Sequence, residues 1–137
     1  MKFISLFSGI GGFDLGLERA GMECIAQVEI DSFCLKVLNK HWPNVPKFGD
    51  IKNFGKQNIE EAVDLICGGF PCQPFSVAGK RKGKEDNRYL WPEMLRVIKE
   101  FNPTYVIGEN VSGIVNMELE QVCLDLEGAG YEVQPFI

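Results

Sequence analysis

The chain has 137 residues, of which 45% are hydrophobic and 24% charged, and its formal net charge at pH 7 is −5. This length predicts one domain with a single core, and no apolar run approaches the roughly 18 to 20 residues that span a bilayer. The acidic balance argues against nucleic-acid binding by bulk electrostatics in this chain alone, and the glycines that interrupt its short apolar start argue against a signal peptide.

Strand-like and helical patterns alternate through the first half of the chain. Residues 3–7 predict a buried strand, and residues 13–21 predict a short helix that ends at a glycine. A second strand is predicted at 24–29, and a short extended piece at 45–48. Between these two, Asp31 is placed to cap a helix. The apolar face of that helix comprises Cys34, Leu35, Leu38 and Trp42.

The second half repeats the alternation. Strands are predicted at 62–67 and, again as a buried strand, at 104–109; the final residues 131–137 also look extended. Asn102 and the proline after it end one helix, and a glycine at 128 or 130 ends the other. The apolar positions of these two helices are Trp91, Met94, Leu95 and Ile98 for the first, and Leu119, Val122, Cys123 and Leu126 for the second.

This alternation predicts an α/β domain with a mostly parallel sheet and helices on both faces. Ligands bind such sheets beyond the carboxyl ends of the strands. The first of these ends is FSGIGG, residues 7–12, where glycines let backbone approach a ligand at a helix amino terminus. A tight turn without a ligand is the alternative. The dinucleotide fingerprint needs glycine at position 14, but Asp14 stands there, which disfavours a nicotinamide dehydrogenase.

Two carboxylates follow the next strand ends. Glu29 lies about twenty residues beyond the glycine loop, where a carboxylate can accept hydrogen bonds from both hydroxyls of a ribose. Its alternative role, capping the following helix, suits Asp31 better. Asp50 follows the third strand and could accept from the amino group of an adenine, although a Gly-Asp pair is also common in turns.

The glycine-rich stretch GGFPCQPFSVAGKRKG, residues 68–83, follows the fourth strand and contains Cys72. Pro71 and Pro74 stiffen the loop and so favour a nucleophile held ready for reaction. Glu109 ends the next strand, so the two side chains form a candidate active site. The other four cysteines are predicted to be inert core residues: Cys24, Cys34, Cys67 and Cys123. Five cysteines at irregular spacing, without a CxxC pair, suggest neither a disulfide framework nor a zinc site, and favour a reducing interior.

Taken together, FSGIGG, Glu29, the Gly-Asp pair ending at Asp50, GGFPCQPFS and the ENV triplet that begins at Glu109 resemble the cytosine carbon-5 DNA methyltransferases. The motifs occur in order through nearly the whole chain, and the combination of Pro-Cys-Gln with a downstream ENV is the specific part. Amino-group methyltransferases of similar fold carry an Asn- or Asp-Pro-Pro-aromatic motif instead of Pro-Cys-Gln. The resemblance implies a Rossmann-like fold that uses S-adenosylmethionine.

The resemblance also implies a mechanism. Cys72 would add to ring carbon 6 of a cytosine while Glu109 donates a proton or hydrogen bond to ring nitrogen 3. Carbon 5 would then take the methyl group, and loss of its proton would expel the cysteine. The base must be flipped out of the duplex for this attack.

The resemblance assigns further residues. Those implied to bind the cofactor are Phe7, Gly9, Gly11, Gly12, Glu29, Ile30, Asp50 and Pro71. Those implied to contact DNA or to shape the loop beside it are Gln73, Ser76, Lys80, Arg81, Lys82, Asn110 and Val111. Ile30 would pack against adenine, Ser76 would contact a phosphate, and Asn110 would position the loop after Glu109. No metal is implied. A basic run that extends to Lys84 and Arg88 could close over DNA, whereas His41, Trp42 and Trp91 are predicted to be structural.

Compared with the family, the chain ends before an arginine-rich motif, the target recognition domain and a final helix. Residues 1–137 are therefore expected to be the N-terminal part of the cofactor-binding and catalytic domain, truncated at its C-terminal end. The missing half could come from a second polypeptide. A cytoplasmic protein of a bacterium or phage that acts on double-stranded DNA is expected. A methyltransferase acting on transfer RNA and a non-catalytic cofactor-binding or assembly module are the alternatives.

Overall fold

The structure is a computed structural model that describes residues 1–71, 89–116 and 118–137. Within these residues one sheet contains five strands: β1 (Lys2–Leu6), β2 (Glu23–Val28), β3 (Lys47–Phe48), β4 (Leu65–Gly68) and β5 (Tyr105–Gly108). The strand order is β3-β2-β1-β4-β5, and every neighbouring pair is parallel. The predicted α/β class and parallel sheet are confirmed.

Each predicted helix is present: α1 (Gly12–Arg19), α2 (Ser32–His41), α3 (Trp91–Phe101) and α4 (Leu119–Gly128). The Asp31 carboxylate caps α2, because its Oδ2 accepts from the Cys34 N–H at 2.9 Å. Asn102 ends α3 in the left-handed conformation with φ of 48°. Among the described helices, none has the length and apolar character needed to cross a bilayer.

The alternation along β1 divides the core into two parts. Ile4 and Leu6 belong to the larger cluster, together with the apolar face of α3. Phe3 points to the opposite face, where Phe13 and Leu17 of α1 pack against the smaller cluster. Because helices cover both faces of the sheet at β1, the apolar side chains on both sides of this strand are buried.

Strand β5 is less buried than its sequence predicts. Tyr105 is 54% exposed and Ile107 37% exposed, whereas Val106 packs against the larger core. The register aligns Tyr105 with Leu65, so these exposed side chains lie on the face of the smaller cluster. That face has no cover at β5, and no strand pairs beyond β5 within the described ranges. The predicted buried strand is therefore an edge strand here, and the extended segment at 131–137 forms no strand.

Helix α3 fixes the segment that follows β3. Arg96 Nη2 donates to the carbonyl oxygens of both Ile51 and Phe54 at 2.8 Å. The Arg96 guanidinium also pairs with Glu100, whose Oε1 accepts from the Lys56 N–H at 3.0 Å. These contacts hold two short 3-10 turns, Ile51–Asn53 and Lys56–Asn58, against the larger core and thereby place the residues just after β3.

Candidate active site

The residues predicted to carry function lie at one edge of the sheet. Phe7 follows β1, Glu29 follows β2, Asp50 follows β3 and Glu109 follows β5. Because all strands are parallel, their carboxyl ends meet at this edge. A cavity of about 340 Å³ opens there, lined by Phe7, Val28, Glu29, Ile30, Gly49, Asp50, Ile51, Gly69, Pro71 and Leu90.

The loop after β1 has a distorted backbone. Phe7, Gly9 and Gly11 have φ angles of 50°, 58° and 93°. Left-handed backbone at a bulky residue such as Phe7 is uncommon, and such strain is concentrated at functional sites. The Gly9 N–H donates to Glu29 Oε1 at 2.8 Å, which ties this loop to the end of β2.

The packing of Trp42 explains why position 11 is glycine. A β-carbon at Gly11 would lie 2.4 Å from Cζ3 of the Trp42 ring, whereas one at Gly12 would have no heavy atom within 4 Å. Trp42 Nε1 also donates to Glu18 at 2.8 Å. Trp42 is therefore a packing group, as predicted. It closes one side of Gly11, and the backbone at Gly12 is left open.

Glu29 is held by two backbone groups. In addition to the Gly9 bond, its Oε2 accepts from the Asp31 N–H at 2.8 Å. A carboxylate has about four lone-pair sites, so each oxygen can accept one more hydrogen bond. The neighbouring Ile30 is 72% exposed at the edge of the cavity. A fixed bidentate acceptor beside an exposed apolar side chain suits a ribose with an attached base.

Asp50, like Glu29, can accept a further hydrogen bond. Its Oδ1 accepts from the Lys52 N–H at 2.9 Å and caps the turn Ile51–Asn53. Its Oδ2 carries no hydrogen bond to any described residue. Because Asp50 lines the same cavity as Glu29, this oxygen is available to an amino group bound there.

The ends of β4 and β5 are in direct contact. The Glu109 N–H donates to the Gly68 carbonyl at 3.0 Å. A β-carbon on Gly69 would lie 2.7 Å from Glu109 Oε2, so the carboxyl rests over this glycine. Asn110 Nδ2 donates to the Phe70 carbonyl at 2.8 Å. The Glu109 and Asn110 side chains are thus set against the chain just before Pro71.

The central nucleophile prediction concerns a residue outside the described ranges. Besides Cys72, the predicted residues that lie there are Gln73, Ser76, Lys80, Arg81, Lys82, Lys84 and Arg88. The described residues on either side of this segment are Pro71 and Tyr89. The Asn110 side chain also accepts from the Val111 N–H at 2.8 Å, so it bonds both its own loop and the one that leads to Cys72.

The remaining cysteines differ in burial. Cys24 and Cys67 are core residues, and burial raises the pKa of Cys67 to about 12 and the pKa of Cys24 well above its usual range. Both thiols therefore stay protonated at neutral pH. Cys34 and Cys123 are only partly buried, so their prediction as core residues is wrong. Both lie on helix surfaces that no described element fully covers.

The structural predictions for the large side chains are confirmed. Trp91 is 2% exposed, and its Nε1 donates to Asp125 at 2.9 Å. His41 is exposed as the last residue of α2. Within the described part of the chain, no three His, Cys, Asp or Glu side chains are grouped as metal ligands.

Some site residues were missed by the sequence analysis. Leu90 lines the cavity from the residue before α3, and nothing in its local sequence marks it. Gly69 was available as a signal, because a second glycine directly after a strand indicates close approach of another group. The group that approaches is the Glu109 carboxyl.

Comparison with known proteins agrees with this arrangement. The sequence model of the family described as C-5 cytosine-specific DNA methylase matches residues 1–137, so the chain belongs to that family. Type II methyltransferase M.HgiCII of Herpetosiphon aurantiacus is 39% identical over 137 residues, which cover 96% of this chain and 31% of that protein. M.HhaI of Haemophilus parahaemolyticus is 39% identical over 117 residues, 85% of this chain and 35% of that protein.

Other relatives differ in length. M.AquIA of a Picosynechococcus species is 44% identical over 124 residues, and this match covers 84% of the chain and 50% of that protein. A crystal structure of a Spodoptera frugiperda DNMT2 mutant superposes with a TM-score of 0.74 and 27% identity, over 93% of this chain and 41% of that one. The chain thus has the Rossmann-like methyltransferase fold and spans a third to a half of the length of these relatives.

Proposed function

We propose that this chain is the cofactor-binding and catalytic N-terminal part of a DNA (cytosine-5)-methyltransferase. The observation that carries the proposal is the contact between β4 and β5. The Glu109 carboxyl lies over Gly69, and Asn110 bonds the Phe70 carbonyl, two residues before Cys72. A carboxyl set against the segment that leads to a cysteine supplies the acid, and the cysteine would supply the nucleophile, that this reaction needs.

The cavity suits S-adenosylmethionine, which supplies a methyl group on a positively charged sulfur when bound. Glu29 would accept from the two ribose hydroxyls, Ile30 would pack against adenine, and Asp50 Oδ2 would accept from the adenine amino group. Phe7 and Pro71 line the same cavity. The open backbone of Gly12, with Gly9 beside it, would lie along the methionine part, while Gly11 supports the loop through its contact with Trp42.

The proposed chemistry begins with Cys72. Its thiolate forms a bond to carbon 6 of a flipped cytosine, and Glu109 donates a proton or hydrogen bond to nitrogen 3. The electron pair thereby placed on carbon 5 would take the methyl group, whose bond to sulfur would break and leave its electrons on S-adenosylhomocysteine. A base then removes the carbon-5 proton, the electrons of that C–H bond restore the ring double bond as the thiolate leaves, and any proton on nitrogen 3 returns to Glu109.

Further residues are proposed to act at the DNA. We expect Gln73, Ser76, Lys80, Arg81, Lys82, Asn110 and Val111 to contact DNA or to shape the loop around the flipped base. The basic residues offset the net charge of −5 locally, which a phosphate backbone requires. The named relatives include bacterial type II methyltransferases, which supports action on double-stranded DNA in a bacterial or phage cytoplasm.

A second polypeptide segment would complete the domain. The exposed Tyr105 and Ile107 on β5, at an edge where no described strand pairs, form a surface that a further strand and helix could cover. The target recognition part would come with that segment, either from the same chain in its full length or from a separate subunit.

Transfer of a labelled methyl group from S-adenosylmethionine tests the proposal. We expect little or no transfer by the isolated chain, and formation of 5-methylcytosine in DNA when it is joined to the part of M.HhaI that follows the matched region. Transfer RNA serves as the parallel substrate. Methylation of transfer RNA alone would contradict the proposed substrate, and full-rate transfer by the isolated chain would contradict the need for a second segment.

A further inference from the structure

A fully buried carboxylate lies beneath the proposed cofactor site. Asp14 of α1 is 0% exposed, and its Oδ2 accepts from Ser5 Oγ at 2.8 Å while its Oδ1 accepts from Gln27 Nε2 at 2.7 Å. The Cys24 thiol approaches Oδ1 at 3.6 Å. One carboxylate therefore joins α1 to the neighbouring strands β1 and β2.

The chemistry proposed above does not use this group. A buried carboxylate is strongly unfavourable unless donors replace the water that it loses, and here two short hydrogen bonds, the thiol and the first turn of α1 do so. Apolar side chains often fill such a position with equal stability. A fully bonded carboxylate at this buried position fixes the relative placement of the groups that donate to it.

The hydrogen-bonded group formed by Asp14, Ser5 and Gln27 precedes the proposed cofactor-binding residues at the ends of β1 and β2. Ser5 and Gln27 are register partners across β1 and β2. Ser5 is two residues before Phe7 in the chain and Gln27 is two residues before Glu29, so this hydrogen-bonded pair lies just before the strand ends that lead into these two site residues. Asp14 is likewise two residues beyond Gly12. The bond from the Gly9 N–H to Glu29 links the same loop and strand one layer above.

The orientation of the Gln27 side chain depends on Asp14. Among the described residues, Gln27 Oε1 is the one buried side-chain nitrogen or oxygen without a hydrogen-bond partner. The amide is therefore oriented by its bond to Asp14. Removal of the carboxylate frees the Gln27 amide to turn, two residues before Glu29.

We propose that Asp14 is a positioning residue that sets the spacing between the glycine loop and Glu29, and thereby the affinity for S-adenosylmethionine. This inference rests on the proposed function. It predicts that Asp14→Ala raises the dissociation constant for S-adenosylhomocysteine and the KM for S-adenosylmethionine by about 10-fold or more, the scale of lost positioning. The kcat at saturating cofactor should change far less, because Glu109 and the Pro71 segment are untouched.

The test uses the complete enzyme, with this chain joined to the remainder of the domain, and measures S-adenosylhomocysteine binding by calorimetry on folded protein. Val97→Ala is the matched control, since Val97 is fully buried on α3 outside the network. It should lower the melting temperature and leave the dissociation constant unchanged. Asp14→Asn keeps the shape and one acceptor, so it should restore part of the affinity.

Each outcome decides a separate point. If the wild-type enzyme binds no S-adenosylhomocysteine, the proposed function fails. If the wild type binds and folded Asp14→Ala binds equally well, with only the loss of melting temperature seen for Val97→Ala, the positioning role is overturned. If Asp14→Ala does not fold, Gln27→Met, which leaves the Ser5 bond to Asp14 intact, decides by the same binding criterion.

Discussion

Replacement of Gly69 by alanine is expected to lower kcat for cytosine methylation by about 100-fold, because a general acid loses its effect when it is displaced. The added β-carbon would lie 2.7 Å from Glu109 Oε2, closer than atoms can approach. The carboxylate is the mobile end of a side chain, so it moves aside and the fold persists. Single-turnover transfer of labelled methyl by the complete enzyme measures the effect.

Gly108→Ala is the matched control for this change. It adds the same methyl group one residue before Glu109, but its nearest neighbour would be Phe70 Cε1 at 3.9 Å, an ordinary contact. We expect its kcat to stay near that of the wild type. Glu109→Gln should reproduce the loss caused by Gly69→Ala. If Gly69→Ala methylates at the wild-type rate, the position of the Glu109 carboxyl is not what the reaction requires.

Gly11→Ala should reduce the free energy of unfolding by about 3 kcal/mol, combining left-handed strain with overpacking. The backbone there has φ of 93°, and the added carbon would lie 2.4 Å from the Trp42 ring. Urea unfolding followed by circular dichroism measures the loss.

The contribution of Trp42 can be separated from backbone strain. Gly9→Ala has the strain without the contact, since φ is 58° and no heavy atom lies within 4 Å, so we expect a loss of only about 1 kcal/mol. In a Trp42→Ala background, the loss from Gly11→Ala should fall toward that of Gly9→Ala, with the milder contact to Leu38 Cδ2 at 3.3 Å still present. Equal losses for Gly9→Ala and Gly11→Ala in the wild-type background would show that the ring contact is unimportant.

The site divides into two parts along the sheet. The end of β3 and the ends of β1 and β2 form the part suited to the cofactor, with Glu29 and Asp50 as fixed acceptors. The ends of β4 and β5 form the part suited to the reaction, with Glu109 over Gly69. Pro71 lines the cavity between them and leads to Cys72. Under the proposed function, this division would place a methyl donor next to the segment that leads to Cys72.

The sequence predicted the features that depend on local signals. The Asp31 cap, the left-handed end at Asn102 and the apolar face of α3 follow from residue type and spacing within one or two turns. The positions of Glu29 and Glu109 at one edge follow from the rule for parallel sheets. These predictions needed no knowledge of distant contacts.

Long-range contacts could not be predicted from local sequence. The bond from Asn110 to Phe70 joins residues 40 apart, and the contact of Trp42 with Gly11 joins two separate elements. The exposure of Tyr105 depends on which strand, if any, lies beside β5, which its own sequence does not encode. Asp14 was interpreted only as a departure from the dinucleotide fingerprint, because its three partners come from two strands outside its own helix.

The most direct measurement is covalent trapping of the complete enzyme on DNA in which 5-fluorocytosine replaces cytosine. Fluorine at carbon 5 cannot leave as a proton, so the bond from Cys72 to carbon 6 should persist through denaturing electrophoresis when S-adenosylmethionine is present. We predict a stable complex for the wild-type enzyme and none for Cys72→Ser. A complex formed equally by Cys72→Ser, or normal methylation of cytosine by that variant, would contradict the assignment of Cys72 as the nucleophile.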